Sequence, residues 1–417
     1  MKKLQKLKKI AIILSHPYTG GVLVGAQNIA RMFKLASLEN HHQLEVIFAH
    51  IEDNVYEPDT FDSLKQMDIR VRAFKWHEIS LADAQRVKEM SLQDFEVPVS
   101  VCGTYCYPED GISAFCDVDY WFIIPDRVPH QLLPLKPYSF VGYDYLQRYF
   151  DCLPKPYNDV LITNSRYADY VFVTTHQTQT DAINYLGIAQ KKAVLLPLEF
   201  SIYENEDNPR SKVQQESKYF LWLTNSALHK NQINVFKALA YYYNNLEGKL
   251  KCKVCGVYSD IFLPQKKLEN ELAYFNQFEH VTKSRKIVEK ENLTDKIDFH
   301  GFISDSLYAQ LLQEADFVLH GNNYDNGSFI LIEAAYYGIP ALSTQYPVVD
   351  FFNERFQLNL QFCDSNDFKN IAHQLKYMEE NSPSLQQCLP TKAFLSQFCW
   401  NKCANSFYST VMERIDQ

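Results

Sequence analysis

The chain has 417 residues, of which 46% are hydrophobic and 22% charged, with a formal net charge of -9. At roughly 150 residues per domain this length implies two domains, or at most three. The 14% aromatic content excludes a predominantly disordered chain, the 13 Gly and 17 Pro exclude collagen-like or linker-rich architectures, and the acidic balance excludes a nucleic-acid footprint spread over the whole protein.

No apolar run reaches the ~18 residues that a membrane span needs. The first nine residues carry five Lys and precede the apolar run Ile10 to Leu14. That run is too short for the core of a secretion signal and meets His16 and Pro17 without a small-x-small cleavage site, so it reads as the first strand of a mature chain. The lysines read as a solvated tail or, alternatively, as a peripheral contact for the inner, anionic surface of a membrane. Cys252 and Cys255 form a C-x-x-C, but KCKVCGV alternates like a strand and puts them on opposite faces. They read as buried free thiols rather than zinc ligands, and the expected compartment is a reducing cytoplasm.

In chain order the strand candidates of the first half are 9–14, 44–50, 69–74, 120–125, 138–143, 159–164 and 192–197. Val22, Ala26, Ile29, Ala30 and Phe33 stand at helix spacing between the first two. The polar stretch 201–218 reads as an interdomain linker. In the second half YFLWLT (219–224) precedes a helix with Ile233, Phe236, Ala240 and Tyr243 on one face, and KCKVCGV, KIDFHGF, DFVLHG, IPALST and LNLQFC follow as strands. Strands alternating with helices predict an α/β chain of two doubly wound, Rossmann-like domains, over 1–200 and 219–390. A terminal helical run, 391–417, is expected to pack back across the cleft between them. Such sheets bind ligands beyond the carboxyl ends of their strands, so a shared site is expected in that cleft.

Four clusters fall just after strands. Gly20 and Gly21 open the first helix, where backbone can approach an anion closely; a plain tight turn is the competing reading. Lys230, with His229 before it, sits near the start of the helix after 219–224, suited to a phosphate or equally to solvent. The KIDFHGF strand ends at His300-Gly301, where Gly301 can admit a flat base against the backbone of Phe302 and Ile303; a turn glycine is the competing reading. GNNYDNGSFILIEAAYYGIPALST is the most informative: the N–H groups of Gly327, Ser328 and Phe329 would hold a pyrophosphate at a helix N-terminus, while Asp325 and Glu333 hold hydroxyls. Asp325 alone reads also as a cap or turn residue. Glu333 sits inside an apolar helix, where an unpaired carboxylate is costly.

Residues 218 to 380 resemble the retaining GT-B glycosyltransferases of family 4, which includes many mannosyl- and glucosyltransferases. The resemblance rests on DNGSFILIEAAYYGIP, with Asp325 at the family's first acidic position, and on HKN, DKIDFHGFISD and ADFVLHG in the family's order and spacing. SHPYTGGVLVGAQNIARMF, FVGYDYLQRYF and VLITNSRY match the other domain more loosely. The resemblance implies that Glu333 binds the nucleotide ribose, Asp325 the transferred sugar, and Lys230 and the amides of Gly327 to Phe329 the diphosphate, with Gly20 and Gly21 beneath the donor. Transfer of a hexose from a GDP- or UDP-linked sugar to a glycan or lipid-linked acceptor in polysaccharide biosynthesis follows, with neither cofactor nor metal. Three departures stand out. No Arg precedes Lys230 in Leu223-Thr224-Asn225-Ser226, which leaves His229 or Arg166 to share the diphosphate charge; Asp325 replaces a Glu; and Tyr143 beside Asp144 replaces the His of an acceptor-side His-Asp pair. These departures keep open a catalytically silent nucleotide-sugar binder, with a UDP-sugar epimerase as a further alternative.

Overall fold

The computed structural model describes residues 7–90, 95–150, 155–197, 218–265 and 278–415, and divides them between two compact units. Lys2, Lys3 and Lys6 of the basic N-terminus, and residues 201–217 of the expected linker, lie outside the described residues. The first unit spans Met1–Ser201 together with Gln397–Gln417, and the second Ile202–Ser396.

The first unit is built on a sheet of β1 (Lys9–Leu14), β2 (Glu45–Ile51), β3 (Arg70–Ser80), β4 (Thr104–Glu109), β5 (Tyr120–Ile124), β6 (Gln131–Leu132), β7 (Tyr138–Gly142), β8 (Tyr170–Val173) and β9 (Ala193–Leu195), in the order β6-β4-β3-β2-β1-β5-β7-β8-β9. All neighbours pair parallel except β3 and β4. Parallel strands are covered on both faces, which is why β1, β5 and β7 read as continuous apolar runs. Ile10, Ile12 and Leu14 enter one core with Val46 and Phe48, whereas Ala11 and Ile13 enter the other with Ile47 and Ala49. The first core is closed by the helix Gly20–Glu39 and by the helix Trp400–Ile415, whose Phe407 meets Phe33 edge-on at 5.2 Å between centroids.

One expected strand is a helix. DVLITN (159–164) lies inside the helix Lys155–Tyr167, with Val160, Leu161, Asn164, Ser165 and Ala168 buried. That stripe has the helical period, and two of its five positions are polar, so a count of β-branched residues misses it. The strand expected there comes later, as β8. β6 escaped the sequence reading as a two-residue edge strand, and β4, TYCYPE, because its Pro108 and its polar residues interrupt the apolar pattern.

The second unit holds β10 (Tyr219–Leu223), β11 (Lys251–Cys255), β12 (Ile297–Gly301), β13 (Phe317–His320), β14 (Ala341–Thr344) and β15 (Gln361–Cys363), all parallel, in the order β12-β11-β10-β13-β14-β15. The order reverses between β10 and β13, and a crevice opens at the carboxyl ends of the strands at such a point. The expected helix is Gln232–Asn245, and Val235, Phe236 and Leu239 pack with Trp222 and Phe220 of β10. Cys252 and Cys255 are both buried free thiols. Among the described residues no helix is long and apolar enough to cross a membrane.

Candidate functional site

The loops after β10 and β13 meet at the switch point of the second sheet. After β10 the chain makes a short turn, Leu228–Lys230, and Asn231 takes a left-handed conformation, φ 60°, before the helix Gln232–Asn245. The Gln232 side chain donates back to the carbonyls of Asn225 (2.6 Å) and Ala227 (2.9 Å), fixing that turn. After β13, a Cβ on Gly321 would stand 2.6 Å from Val235 Cγ2, so only glycine lets the loop pass this helix. The Asn323 N–H donates to the His229 carbonyl at 2.8 Å. This backbone bond ties the two loops together and sets Lys230 opposite Asp325.

Lys230 Nζ donates to Asp325 Oδ2 in an ion pair whose side chains are only 14% and 15% exposed. Asn322 Nδ2 donates to the same oxygen at 2.9 Å, and Asp325 Oδ1 accepts the N–H groups of Asn326 (2.8 Å) and Gly327 (3.3 Å). Burial would raise the Asp325 carboxyl, but the Lys230 charge, the neighbouring His229 and His320 and the Lys230 hydrogen bond overcome it and hold the group well below the usual carboxylate range. Asp325 is therefore a carboxylate at every physiological pH.

The helix Phe329–Tyr336 follows, with Ser328 at its N-cap making no side-chain cap. Its first amides are less open than the sequence suggested. The Gly327 N–H goes to Asp325, and that of Phe329 to the Gly327 carbonyl at 2.8 Å. The reason is local: an Asp side chain is short enough to fold back on its own loop. Glu333 stands among the buried Ile330, Leu331, Ile332, Ala334 and Ala335, and its Oε2 accepts from the Tyr308 hydroxyl of the helix Asp305–Glu314. Burial pushes Glu333 up to about 7, against the Tyr308 hydrogen bond, with Asp305 adding to the rise. At β12, Gly301 is left-handed, φ 68°, and a Cβ there would lie 2.9 Å from the Asp260 carboxyl carbon. Phe302 beside it is 72% exposed.

His229 does not supply charge at neutral pH, because burial, with Lys230 adding and Asp325 opposing, pushes it down to about 4. Arg166 belongs to the first unit, where its Nε donates to the Leu186 carbonyl at 2.7 Å and its guanidinium lies over Gly187. Among the described residues its hydrogen bonds do not reach Tyr143 or Asp144.

In the first unit Gly20 has φ 61° and leads the helix Gly20–Glu39, with open space around both Gly20 and Gly21. A Cβ on Gly25 in the next turn would stand 3.0 Å from the Tyr143 hydroxyl oxygen, so Tyr143 packs against this helix. Arg127 Nη2 donates to the Asp144 carbonyl (3.1 Å) and to Gln147 Oε1 (3.1 Å), and reaches Asp144 Oδ1 at 3.4 Å. Its Nε lies 3.6 Å from Asp126, which is 1% exposed. Burial, opposed by Arg127, pushes Asp126 up to about 6.

The family described as Glycosyl transferases group 1 matches residues 204–391. An Anabaena protein, HepE, solved in complex with UDP and glucose, is 14% identical and superposes over 98% of this chain and 99% of its own, with a TM-score of 0.67. A glycosyltransferase from Rickettsia africae is 11% identical over 99% of both chains, with a TM-score of 0.64. The lipopolysaccharide outer core galactosyltransferase WaaB is 12% identical over 99% of both chains, with a TM-score of 0.54. The fold is GT-B. No curated protein matches the chain in sequence.

Within the GT-B scaffold, Lys230, His229, Asp325, Gly327, Ser328, Phe329, Glu333, Gly301 and Phe302 all stand at or just beyond the carboxyl ends of β10, β12 and β13 in the second unit. Gly20, Gly21, Tyr143 and Asp144 stand at the ends of β1 and β7 in the first. Sequence reasoning missed Tyr308, His320, Asn322, Asp126 and Arg127. The last two follow an apolar strand directly and were open to the same strand-end logic. Tyr308 was not, since only the packing of two helices brings it to Glu333.

Proposed function

We propose that the protein is a retaining glycosyltransferase that moves a hexose from a UDP-sugar, in preference to a GDP-sugar, to a glycan or lipid-linked acceptor in polysaccharide biosynthesis. The observation that carries this reading is the buried Lys230–Asp325 pair where the loops after β10 and β13 meet at the switch point, with Glu333 in the helix that follows the second loop. The UDP and glucose held by HepE and the lipopolysaccharide chemistry of WaaB support the choice of donor and acceptor.

Lys230 neutralises Asp325. An incoming diphosphate offers the ammonium a stronger anion, and the negative charge that grows on the leaving group is stabilised by Lys230. Glu333 takes the ribose hydroxyls and Asp325 the hydroxyls of the sugar, while the acceptor hydroxyl attacks the anomeric carbon from the leaving-group face. The nucleotide sugar is a substrate; no step is assigned to a resident cofactor or metal.

The bonds of Asp325 to its own loop favour one second reading, a silent binder in which Asp325 is a turn residue. Incubation with UDP- and GDP-hexoses and a panel of glycan acceptors separates the two. The expected result is a transferred sugar of unchanged anomeric configuration by NMR and a thermal shift larger with UDP than with GDP. A nucleotide shift without transfer establishes the silent binder, and a product of inverted configuration refutes retention.

A further inference from the structure

We propose that His320 is a positioning residue of the donor site: it accepts one N–H of the Asn322 side-chain amide and so holds the other N–H of that amide on Asp325. This inference rests on the proposed function, because the orientation of Asp325 matters only where Asp325 meets the donor sugar.

The hydrogen bonds run in one direction. Ser343 Oγ donates to the Thr344 carbonyl at 3.0 Å, so it accepts from His320 Nδ1, 2.9 Å away. The proton of the imidazole is thus on Nδ1, and Nε2 is an acceptor. Asn322 Nδ2 lies 2.8 Å from Nε2 and 2.9 Å from Asp325 Oδ2. An amide nitrogen offers two N–H donors, and here each has one acceptor. Asn322 Oδ1 is buried with no hydrogen-bond partner among the described residues, so the rotation of this amide is set from its nitrogen side, where the Tyr346 hydroxyl also approaches it. Turning the amide over would place Oδ1 against the Asp325 carboxylate and the imidazole lone pair at once.

His320 is 2% and Asn322 1% exposed, so no water competes for these bonds. Ser328 Oγ, the residue ahead of the helix Phe329–Tyr336, lies 3.2 Å from the same Nε2. Burial pushes His320 down to about 4, and the imidazole stays a neutral acceptor through the working pH range. Within DFVLHG this His closes an apolar strand, where an aliphatic residue would satisfy packing alone. The polar side chain at the end of β13 is accounted for by its hold on Asn322.

The test is a mutant cycle on the full chain, reading turnover of the hexose donor that the wild type accepts and calorimetric affinity for UDP. His320→Leu is expected to lower kcat at least tenfold while UDP affinity changes less than twofold, since UDP lacks the sugar that Asp325 meets. His320→Gln restores an acceptor and recovers most of kcat. In an Asn322→Ala background, His320→Leu adds less than a twofold further loss, because the residue it acts through is gone. Wild-type kcat in His320→Leu overturns the inference, as does a tenfold loss that persists in the Asn322→Ala background or a parallel loss of UDP affinity. If His320→Leu does not fold, the cycle is run with His320→Gln, and a kcat below one tenth of wild type there overturns it equally. Asp325→Asn separates this failure from that of the parent reading: full turnover in Asp325→Asn removes the sugar contact itself, whereas an inactive Asp325→Asn beside an active His320→Leu removes only the positioning role. A wild type without turnover on any donor refutes both.

Discussion

The two units carry ionisable groups at equivalent places, the carboxyl ends of the strands at their switch points, and handle them differently. In the second unit the two carboxylates have separate partners. Asp325 has a dedicated cation, an amide side chain and two backbone N–H groups, whereas Glu333 has a tyrosine hydroxyl. In the first unit one cation, Arg127, is shared between Asp126 and Asp144. Pairing therefore splits the acids by ionisation: Asp325 stays charged, while Glu333 and Asp126, buried and less well compensated, titrate near neutrality at about 7 and about 6. A fixed charge suits a group that meets a sugar and balances a lysine. A titrating group makes the site responsive to pH.

The sharpest way to break this contrast is Lys230→Ala. It removes the contact on the leaving diphosphate, worth about 3 kcal/mol or roughly a hundredfold in kcat. It also strands Asp325, and the variant is expected to lose about 3 kcal/mol of stability, as when one partner of a buried pair is removed. Single-turnover kinetics and urea unfolding check the two effects. A change confined to KM would make Lys230 a ground-state contact only.

Glu333→Gln tests the less compensated acid of the second unit. The folded value near 7 lies above the ordinary 4.5, so the native state holds an extra proton between those pH values. Stability from this group is full below pH 4.5 and falls as pH rises to about 7. The variant should abolish that fall and be more stable than wild type at pH 8, by on the order of 2–3 kcal/mol. Urea unfolding at pH 5 and pH 8 measures it. Turnover should nevertheless drop, since a neutral amide is a poorer acceptor for ribose hydroxyls.

Asp126→Asn is the counterpart in the first unit, with the same sign and a lower window, from the ordinary 3.8 to about 6. The two shifts are of similar size, and the effect of Arg127 is already contained in the value near 6, so the gain at pH 8 is expected to be comparable, on the order of 2–3 kcal/mol. No gain at pH 8 would show that Arg127 compensates Asp126 fully. The smallest effect concerns Gly25→Ala. The new methyl meets the Tyr143 hydroxyl at 3.0 Å, a contact that the end of a tyrosine ring relieves by a small shift, so the cost should stay under about 1 kcal/mol. A larger loss of melting temperature would mean that Tyr143 is clamped in place.

Much of this arrangement was legible in the chain itself. Unbroken apolar runs bounded by turn residues located β1, β5, β7 and β10 within a residue or two, because strands buried on both faces carry no other pattern. Asp325, Glu333 and Lys230 stand out in the sequence because ligand chemistry concentrates just after such strands. The stretch 159–164 was not, since polar Asn164 sits on the buried side of a helix and only the Gln131 side chain and the Leu132 N–H, which donate to its oxygen, make that burial tolerable. Sequence alone also determined that Glu333, inside an apolar helix, needed a partner. That the partner is Tyr308, that Asp325 already holds Lys230, and that His320 sets the turn of Asn322 were decided by the tertiary structure. The first two depend on side chains from different elements meeting within hydrogen-bond distance, and the third on Ser343 of β14 fixing the tautomer of His320; no spacing along a single chain encodes those distances.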